Sequence, residues 1–296
     1  LHKAIRRQRQ MCIRDSISTE SLRASDDLIF LNVHPNKDGS LSFENPRAFQ
    51  GKGVTTWEGL IKSVRAKVKG TKVKIRLGAS SGEWKAMVAD EAARTTFAKN
   101  IKTVLEKNKL DGIDLDFEWA ENEKEYKDYS LAILKMREVL GDKYLFSVSL
   151  HPVCYKISKE AIEAVDFISL QCYGPSPVRF PIEKYCSDIQ MVLEYGIPKE
   201  KLVAGVPFYG VTKDNSKKTE AYFNFVQNGL VTSPAQNEVI YQGDTYVFDG
   251  QDNIRIKTRY AKEQKLKGMM SWDLATDLPL SDSRSLLKTM TEELRE

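Results

Sequence analysis

Strand-like and helix-like segments alternate along nearly the whole of this chain of 296 residues. Runs rich in β-branched and aromatic residues occupy seven segments, namely 27–34, 72–77, 112–117, 144–150, 165–173, 201–206 and 268–272. Segments with apolar residues at helical spacing lie between them, among them 56–69, 91–107, 123–140, 182–195 and 253–264. Regular alternation of this kind predicts βαβ units and a parallel sheet covered by helices.

The number of strands favours one α/β fold over another. Seven strands with their helices predict a (β/α)8 TIM barrel that lacks its native first strand. A doubly wound open sheet is the alternative, but no glycine-rich fingerprint follows the first strand and no Gly-x-x-x-x-Gly-Lys-Ser/Thr motif occurs. Residues 210–253 form a connection longer than the others, which in a barrel lies at the ligand-binding rim.

The first 16 residues differ in character from the rest. They carry five basic residues and one acid, which accounts for the whole net charge of +4, because the remaining 280 residues hold 40 of each sign. We interpret residues 1–16 as a non-native or disordered basic tail and residues 17–296 as one catalytic barrel. The tail has no apolar core region and no small-residue cleavage site, so no signal peptide is visible. The neutral body gives no indication of a nucleic-acid partner.

Three acids alternate with apolar residues at the end of the third strand-like segment. In an extended strand, Asp114, Asp116 and Glu118 share one face, while Ile113, Leu115 and Phe117 share the other. Neighbouring carboxylates repel one another, so we expect one of them to be held protonated, as a general acid near neutral pH requires.

Two alternatives to this interpretation are a solvated acidic face and a metal site. The segment follows a helical pattern and is apolar on one side, which favours a buried strand over a solvated one. The chain has only three histidines, none near the acids, and its four cysteines lack zinc spacing. We therefore predict neither a metal nor another cofactor. No apolar stretch reaches 18 residues, so no membrane span is predicted.

Polar and aromatic residues collect where other predicted strands end. Gln171 and Tyr173 end one strand, Tyr209 follows another, and Trp272 ends the last. Because barrel enzymes place their chemistry at the C-terminal ends of strands, these residues are candidate ligand contacts beside the acids. Tyr173, Tyr209 and Trp272 each have an alternative role in packing, which is less convincing when the three are taken together. Carboxylates with aromatic rings indicate a glycan site.

The acid row resembles the signature of glycoside hydrolase family 18, the chitinases and their relatives. That signature, Asp-x-x-Asp-x-Asp-x-Glu, stands here as Asp111, Asp114, Asp116 and Glu118. Segments 74–80, 202–210 and 268–273 resemble the third, seventh and eighth strands of the family. Two departures occur. Gly78-Ala79 replaces the glycine pair of the family's Ser-x-Gly-Gly, and Gly174 replaces the polar residue that follows the sixth-strand tyrosine. The large insertion domain of some family members is absent or much reduced between residues 210 and 268.

The resemblance implies a TIM barrel and a retaining hydrolysis in which the substrate supplies the nucleophile. Glu118 would be the general acid, Asp116 would hold the acetamide, and Asp114 would share a proton with Asp116. Tyr173 would position the acetamide oxygen, and Trp272, Tyr209 and Gln171 would contact the sugar. Asp111 and Gly112 would be structural parts of the motif.

The expected substrate is β-1,4-linked N-acetylglucosamine in chitin or chitooligosaccharides. An endo-β-N-acetylglucosaminidase acting on N-glycan cores would use the same acids, and an inactive glycan-binding relative is a third possibility. We expect a monomer, and family habit favours a secreted, periplasmic or cell-surface protein.

Overall fold

The computed structural model describes residues 17–43 and 56–295, so the predicted tail of residues 1–16 lies outside the described part of the chain. The chain forms two compact units. Among the described residues, unit I comprises 25–43, 56–169 and 195–197, and unit II comprises 17–24, 170–194 and 198–295. In the two described ranges, no helix is long and apolar enough to cross a membrane.

The secondary structure alternates as the sequence predicts. The helices are α1 (Thr19–Arg23), α2 (Trp57–Lys67), α3 (Trp84–Ala89), α4 (Glu91–Asn108), α5 (Glu123–Leu140), α6 (Lys159–Ala164), α7 (Ile182–Tyr195), α8 (Tyr222–Gln227), α9 (Gln251–Glu263) and α10 (Leu286–Arg295). The strands are β1 (Asp27–Pro35), β2 (Leu41–Phe43), β3 (Lys74–Ser80), β4 (Gly112–Asp116), β5 (Leu145–Leu150), β6 (Phe167–Leu170), β7 (Leu202–Pro207), β8 (Tyr209–Thr212), β9 (Thr219–Ala221), β10 (Glu238–Tyr241), β11 (Asp244–Val247) and β12 (Gly268–Trp272).

Unit I is built on a largely parallel sheet with strand order β6-β5-β4-β3-β1-β2. The β1–β3, β3–β4 and β4–β5 pairs are parallel, whereas β2 folds back on β1 as an antiparallel hairpin. Asp90 and Asn122 cap α4 and α5 by accepting hydrogen bonds from Ala93 N and Glu125 N. These caps begin the two helices that precede and follow β4 in the chain.

The two faces of β3, β4 and β5 differ sharply in polarity. One face is apolar and fully buried, and its residues are Ile75, Leu77, Ile113, Leu115, Phe146 and Val148. Strand pairing places Asp114 opposite Gly78 on β3 and Ser147 on β5, so the other face carries small and polar side chains. An alternation that buries one face of the strand fixes its register, because a slip of one residue would bury the wrong set of side chains.

Unit II contains the parallel pair β7 and β12 and a separate antiparallel sheet of order β10-β11-β8-β9. Phe225 packs against Tyr246 and Phe248 under this small sheet, with ring centroids 5.4 Å apart in each pair. Helices α9 and α10 are joined by Arg259, whose Nε and Nη2 donate to Glu293 at 2.9 and 3.2 Å.

The long connection at residues 210–253 is more ordered than the sequence suggested. We expected an irregular rim segment, but it contains most of β8, all of β9 to β11 and helix α8. Each of these strands is only three or four residues long, too short for alternation to be recognised in the sequence. Each of the seven predicted strand segments does contain a strand.

Candidate active site

The acid row lies at the C-terminal end of β4, where Asp114 and Asp116 occupy the polar face of the strand. Asp114 is 1% and Asp116 5% exposed. Glu118 follows two residues beyond the end of the strand, and its side chain is accessible to solvent. The three carboxyl groups therefore change from fully buried to accessible within five residues, as befits a site that a ligand reaches from the end of the strand.

Hydrogen bonds from two serines of β5 offset part of the energetic cost of burying the Asp114 carboxyl group. Its Oδ1 accepts from the hydroxyl of Ser147, and its Oδ2 accepts from Ser149 Oγ at 2.7 Å. Burial raises the pKa of the Asp114 carboxyl, while the Arg76 cation and the two serine hydroxyls oppose that rise. Asp114 is thus a buried acid whose two oxygens are both hydrogen-bonded.

The pKa of Glu118 is also raised, and burial is the cause. This corrects the sequence argument, which attributed the protonation of one acid to crowding by its neighbours. Solvent reaches the side chain, yet surrounding protein removes enough water from the carboxyl to disfavour its charged form. The result is the property needed in a general acid.

Packing on both sides fixes the loop that carries Glu118. Phe117 stacks on Trp84 at 5.6 Å and meets Tyr129 edge-on at 5.1 Å. Trp119 lies edge-on against His151, with ring centroids 4.7 Å apart. The Glu118–Trp119 peptide bond is cis. Glu118 is therefore held between two anchored aromatic residues.

Asp111 and Gly112 belong to the opposite end of β4. Asp111 Oδ2 accepts a 2.8 Å hydrogen bond from Ile75 N, which ties the start of β4 to β3. A Cβ atom on Gly112 would lie 1.9 Å from the carbonyl oxygen of Leu145. Only glycine permits this approach of the two strands.

The aromatic candidates lie in unit II. Tyr173 is buried, its hydroxyl lies 3.5 Å from Met270 Sδ, and its ring meets that of Tyr209 edge-on at 6.4 Å. The Tyr209 hydroxyl donates to the carbonyl oxygen of Gly174 at 3.2 Å. Gln171, two residues before Tyr173 in the sequence, is also buried, with an exposure of 7%. Unit II thus brings Tyr173 and Tyr209 together.

Trp272 ends β12 directly opposite Pro207 of β7 in the parallel register. Its side chain is 39% exposed, which is unusual for so large an apolar ring. The Trp272–Asp273 peptide bond is cis. An accessible indole at a strand end is a suitable platform for the face of a sugar ring.

Three polar residues of unit I lie close to the acid row but are not among the site residues predicted from the sequence. Arg76 is fully buried in β3, and Ser147 and Ser149 are the partners of Asp114 on β5. The available signal was an arginine between two apolar residues, Ile75 and Leu77, inside a predicted strand. Within residues 17–43 and 56–295, no group of three or more histidine, cysteine or acidic side chains is arranged to hold a metal ion.

Comparison with solved structures shows the fold. A chitinase from Flavobacterium johnsoniae matches with a TM-score of 0.76 at 24% identity, covering 95% of this chain and 90% of that one. A chitinase-like agglutinin from Robinia pseudoacacia matches with a TM-score of 0.75 at 17% identity, covering 95% and 94%. The predicted α/β TIM-barrel fold class is confirmed by these likenesses.

Comparison of sequences shows the family. The probable chitinase 2 of Drosophila melanogaster is 23% identical over 273 residues, covering 70% of this chain and 56% of the insect protein. The chain thus spans only about half the length of that relative. Residues 8–277 match the sequence model of a family, glycosyl hydrolases family 18. The resemblance based on the acid row is therefore confirmed, and the chain belongs to glycosyl hydrolase family 18.

Proposed function

We propose that this protein is a retaining glycosidase that cleaves β-1,4-linked N-acetylglucosamine in chitin or chitooligosaccharides by substrate-assisted catalysis. The observation that carries the proposal is the state of Glu118. The residue is exposed two positions beyond the end of β4, while burial of its carboxyl raises its pKa. A carboxylic acid that keeps its proton where a ligand can reach it is equipped to protonate a leaving oxygen.

In the proposed first step, Glu118 gives its proton to the glycosidic oxygen as the bond to the anomeric carbon breaks. The carbonyl oxygen of the substrate's own 2-acetamido group forms the new bond to that carbon, which gives an oxazolinium ion and a free sugar end. One carboxyl oxygen of Asp116 accepts a hydrogen bond from the acetamide N–H, and the single negative charge of the Asp114–Asp116 pair stabilises the developing positive charge. Asp114 shares one proton with Asp116, so that the pair carries a single negative charge.

In the second step, water attacks the anomeric carbon and Glu118, now ionised, takes a proton from it. The ring of the oxazolinium ion opens and the configuration at the anomeric carbon is retained. Tyr173 is proposed to hold the acetamide oxygen, which is a positioning role. Trp272 is proposed to stack on the sugar, with Tyr209 and Gln171 as further contacts.

The direct test is Glu118→Gln, which keeps the shape of the side chain and removes the proton. We expect the release of chitobiose from a chitin oligomer to fall by about 10²–10⁴-fold. Glu121→Gln is the matched control, since Glu121 is an exposed acid three residues on that pairs with Lys85 at 2.7 Å. Near-normal turnover by Glu118→Gln would overturn the assignment of the general acid.

The substrate can be tested separately from the acid. An oligomer of glucose without the 2-acetamido group should be cleaved far more slowly than a chitin oligomer, because it lacks the nucleophile. Equal rates would overturn substrate assistance. Release of glycan from an N-glycoprotein without cleavage of chitin oligomers would identify the enzyme as an endo-β-N-acetylglucosaminidase. Binding of chitin oligomers without cleavage would identify a glycan-binding protein.

A polymeric substrate of this kind lies outside cells, which is why we propose a secreted, periplasmic or cell-surface location.

A further inference from the structure

A buried guanidinium lies on the polar face of the unit I sheet. Arg76 of β3 is 0% exposed and is paired with Asp27 of β1. Its Nε donates to Asp27 Oδ1 at 2.8 Å, and its Nη2 lies 2.7 Å from Asp27 Oδ2. Its charge also lies 4.8 Å from the centre of the Phe167 ring. A buried cation is costly unless it has a counterion, and Asp27 supplies that counterion here, although Nη2 itself makes no hydrogen bond.

The remaining contacts of Arg76 lead toward the acid row. Nη1 donates to the carbonyl oxygen of Ile113 at 3.1 Å and to Ser147 Oγ at 2.7 Å. Ser147 Oγ in turn lies against Asp114 Oδ1. A hydroxyl has one proton to donate, and an arginine can only donate. Because Ser147 accepts from Arg76, its own proton points at Asp114, and the chain of donors runs from Arg76 through Ser147 to Asp114.

We propose that Arg76 is a positioning residue of the reaction, which acts through Ser147 to favour the ionised form of Asp114 and so leaves the proton of the acid pair on Asp116. This inference rests on the proposed function, because it concerns how the proton shared by those two acids is distributed. A hydrogen bond polarised by a cation is stronger than a neutral one, and it fixes the orientation of the carboxylate as well as its charge.

The other charged and titratable groups around Asp114 do not supply this effect. Asp27 lies behind Arg76, and its charge opposes ionisation of Asp114. Asp116 and Glu118 follow on the same chain, and both are acids. The hydroxyl of Tyr129 on α5 donates to the carbonyl oxygen of Leu115 on β4, and therefore not to Asp114. His151 begins the loop after β5. Arg76 is the permanent cation of this set, and it offsets part of the rise that burial causes in the Asp114 pKa.

The position of Arg76 also distinguishes this chain from the family pattern. With Gly78-Ala79 in place of the glycine pair of Ser-x-Gly-Gly, Arg76 occupies the place of the serine. The register confirms that this place lies beside the acid strand, since Arg76 is opposite Gly112 on β4. At this position beside the acid strand the chain carries a charge with its own counterion, Asp27.

A matched pair of serine variants tests the relay. Ser147→Ala and Ser149→Ala each remove one hydroxyl donor from Asp114, but only Ser147 is bonded to Arg76. Loss of a donor to the carboxylate raises its pKa, so the acidic limb of the kcat/KM profile moves to higher pH. We expect a shift of about one pH unit for Ser147→Ala and about half of that or less for Ser149→Ala. Equal shifts, or a larger shift for Ser149→Ala, would overturn the relay.

Variants of the arginine test the charge itself. Arg76→Met removes the cation and should move the acidic limb upward by about one unit or more, whereas Arg76→Lys keeps a cation and should move it less. Identical profiles for the two variants would overturn the inference. If Arg76→Met does not fold, the serine pair still decides the question.

A readout that is independent of turnover separates this inference from the proposed function. The carboxyl carbon of Asp114 is followed by 13C NMR against pH in the wild-type chain, Ser147→Ala and Ser149→Ala. If the wild-type protein cleaves no chitin oligomer, the proposed function fails, but a selective rise of the Asp114 pKa in Ser147→Ala still supports the relay. The absence of that selective rise overturns the relay whatever the activity.

Discussion

The ring of Tyr173 lies against the backbone of Gly205, so closely that a Cβ atom at position 205 would be 2.9 Å from Tyr173 Cε1. The same Cβ would be 2.7 Å from the carbonyl oxygen of Leu170. Gly205 thus provides the space in which the tyrosine ring packs, although it contributes no side chain. The Tyr173 ring can occupy this position because residue 205 of β7 has no Cβ atom.

We therefore expect Gly205→Ala to displace Tyr173 and to lower both stability and activity. Overpacking of this kind costs about 1–3 kcal/mol of the free energy of unfolding, which urea denaturation measures. Gly268→Ala on the neighbouring β12 is the control, because a Cβ there meets nothing within 4 Å. The control should change the free energy by less than about 0.5 kcal/mol. Equal effects of the two variants would contradict the proposed contact.

The raised pKa of Glu118 predicts how this carboxyl titrates. Because burial favours the neutral form, Glu118 should keep its proton to a higher pH than an ordinary glutamate. Glu125, four residues before Tyr129 on the same helix, should behave in the opposite way. The backbone N–H of Glu121 and the cation of Lys85 lower its pKa.

The two carboxyl carbons can be followed by 13C NMR, with Glu118→Gln used to assign the first signal. We expect Glu118 to titrate clearly above Glu125, and the glycosidase activity to decline as pH rises through the Glu118 transition. If Glu118 titrates at or below Glu125, burial does not prepare it as an acid.

The raised pKa of Asp277 predicts that the stability of the folded chain depends on pH. It accepts hydrogen bonds from Leu286 N, Leu287 N and Ser285 Oγ at the start of α10, yet burial raises its pKa to about 6. The folded chain therefore binds a proton more tightly than the unfolded chain, in which the pKa is about 3.9. The resulting stabilisation is fully present below about pH 4 and is lost as pH rises to about 6.

The expected loss is on the order of 3 kcal/mol of the free energy of unfolding between pH 4 and 7. Asp277→Asn cannot titrate and should show no such loss in urea denaturation at the two pH values. Asp282→Asn is the control, since Arg284 lowers the pKa of Asp282 and its titration falls below this window. A wild-type slope that persists in Asp277→Asn would refute this origin.

Two helices were predicted to the residue, because the predicted segments 123–140 and 182–195 are the bounds of α5 and α7. Helix α5 begins after the Asn122 cap and is followed by Gly141, and α7 is followed by Gly196 and Pro198. By contrast, β6 is shorter than the predicted segment 165–173. Cys172 N donates to the carbonyl oxygen of Leu170, so the backbone turns out of the strand before Tyr173. Local turns of this kind leave no periodic trace in the sequence.

The candidate site was predictable where its pattern lies within one strand, and not where it depends on pairing between strands. Alternation alone places Asp114 and Asp116 on one face. The hydrogen-bond partners of Asp114 lie on β5 and the nearby Arg76 cation lies on β3, and their positions follow from the register between segments that are distant in the chain. The hairpin between β10 and β11 was missed for a different reason. Its turn has positive φ at Gln242 and Gly243, and glutamine is not a residue that marks such a turn.

Lys257 and Asp249 form a fully buried ion pair in unit II. Both side chains are 0% exposed, Lys257 Nζ donates to Asp249 Oδ2 at 2.6 Å, and it also donates to the carbonyl oxygen of Phe180 at 2.9 Å. Truncating one partner leaves the other charge buried without its counterion. We therefore expect Lys257→Met to lower the free energy of unfolding by about 3–5 kcal/mol in urea denaturation.

Two further variants show whether burial is the reason. The double variant Lys257→Met with Asp249→Leu removes both charges and should recover much of the loss. Lys213→Met breaks the exposed pair with Glu238, in which the two side chains are 58% and 50% exposed. That change should cost less than about 1 kcal/mol, because solvent screens the interaction. If Lys257→Met costs no more than Lys213→Met, the buried pair does not stabilise the unit.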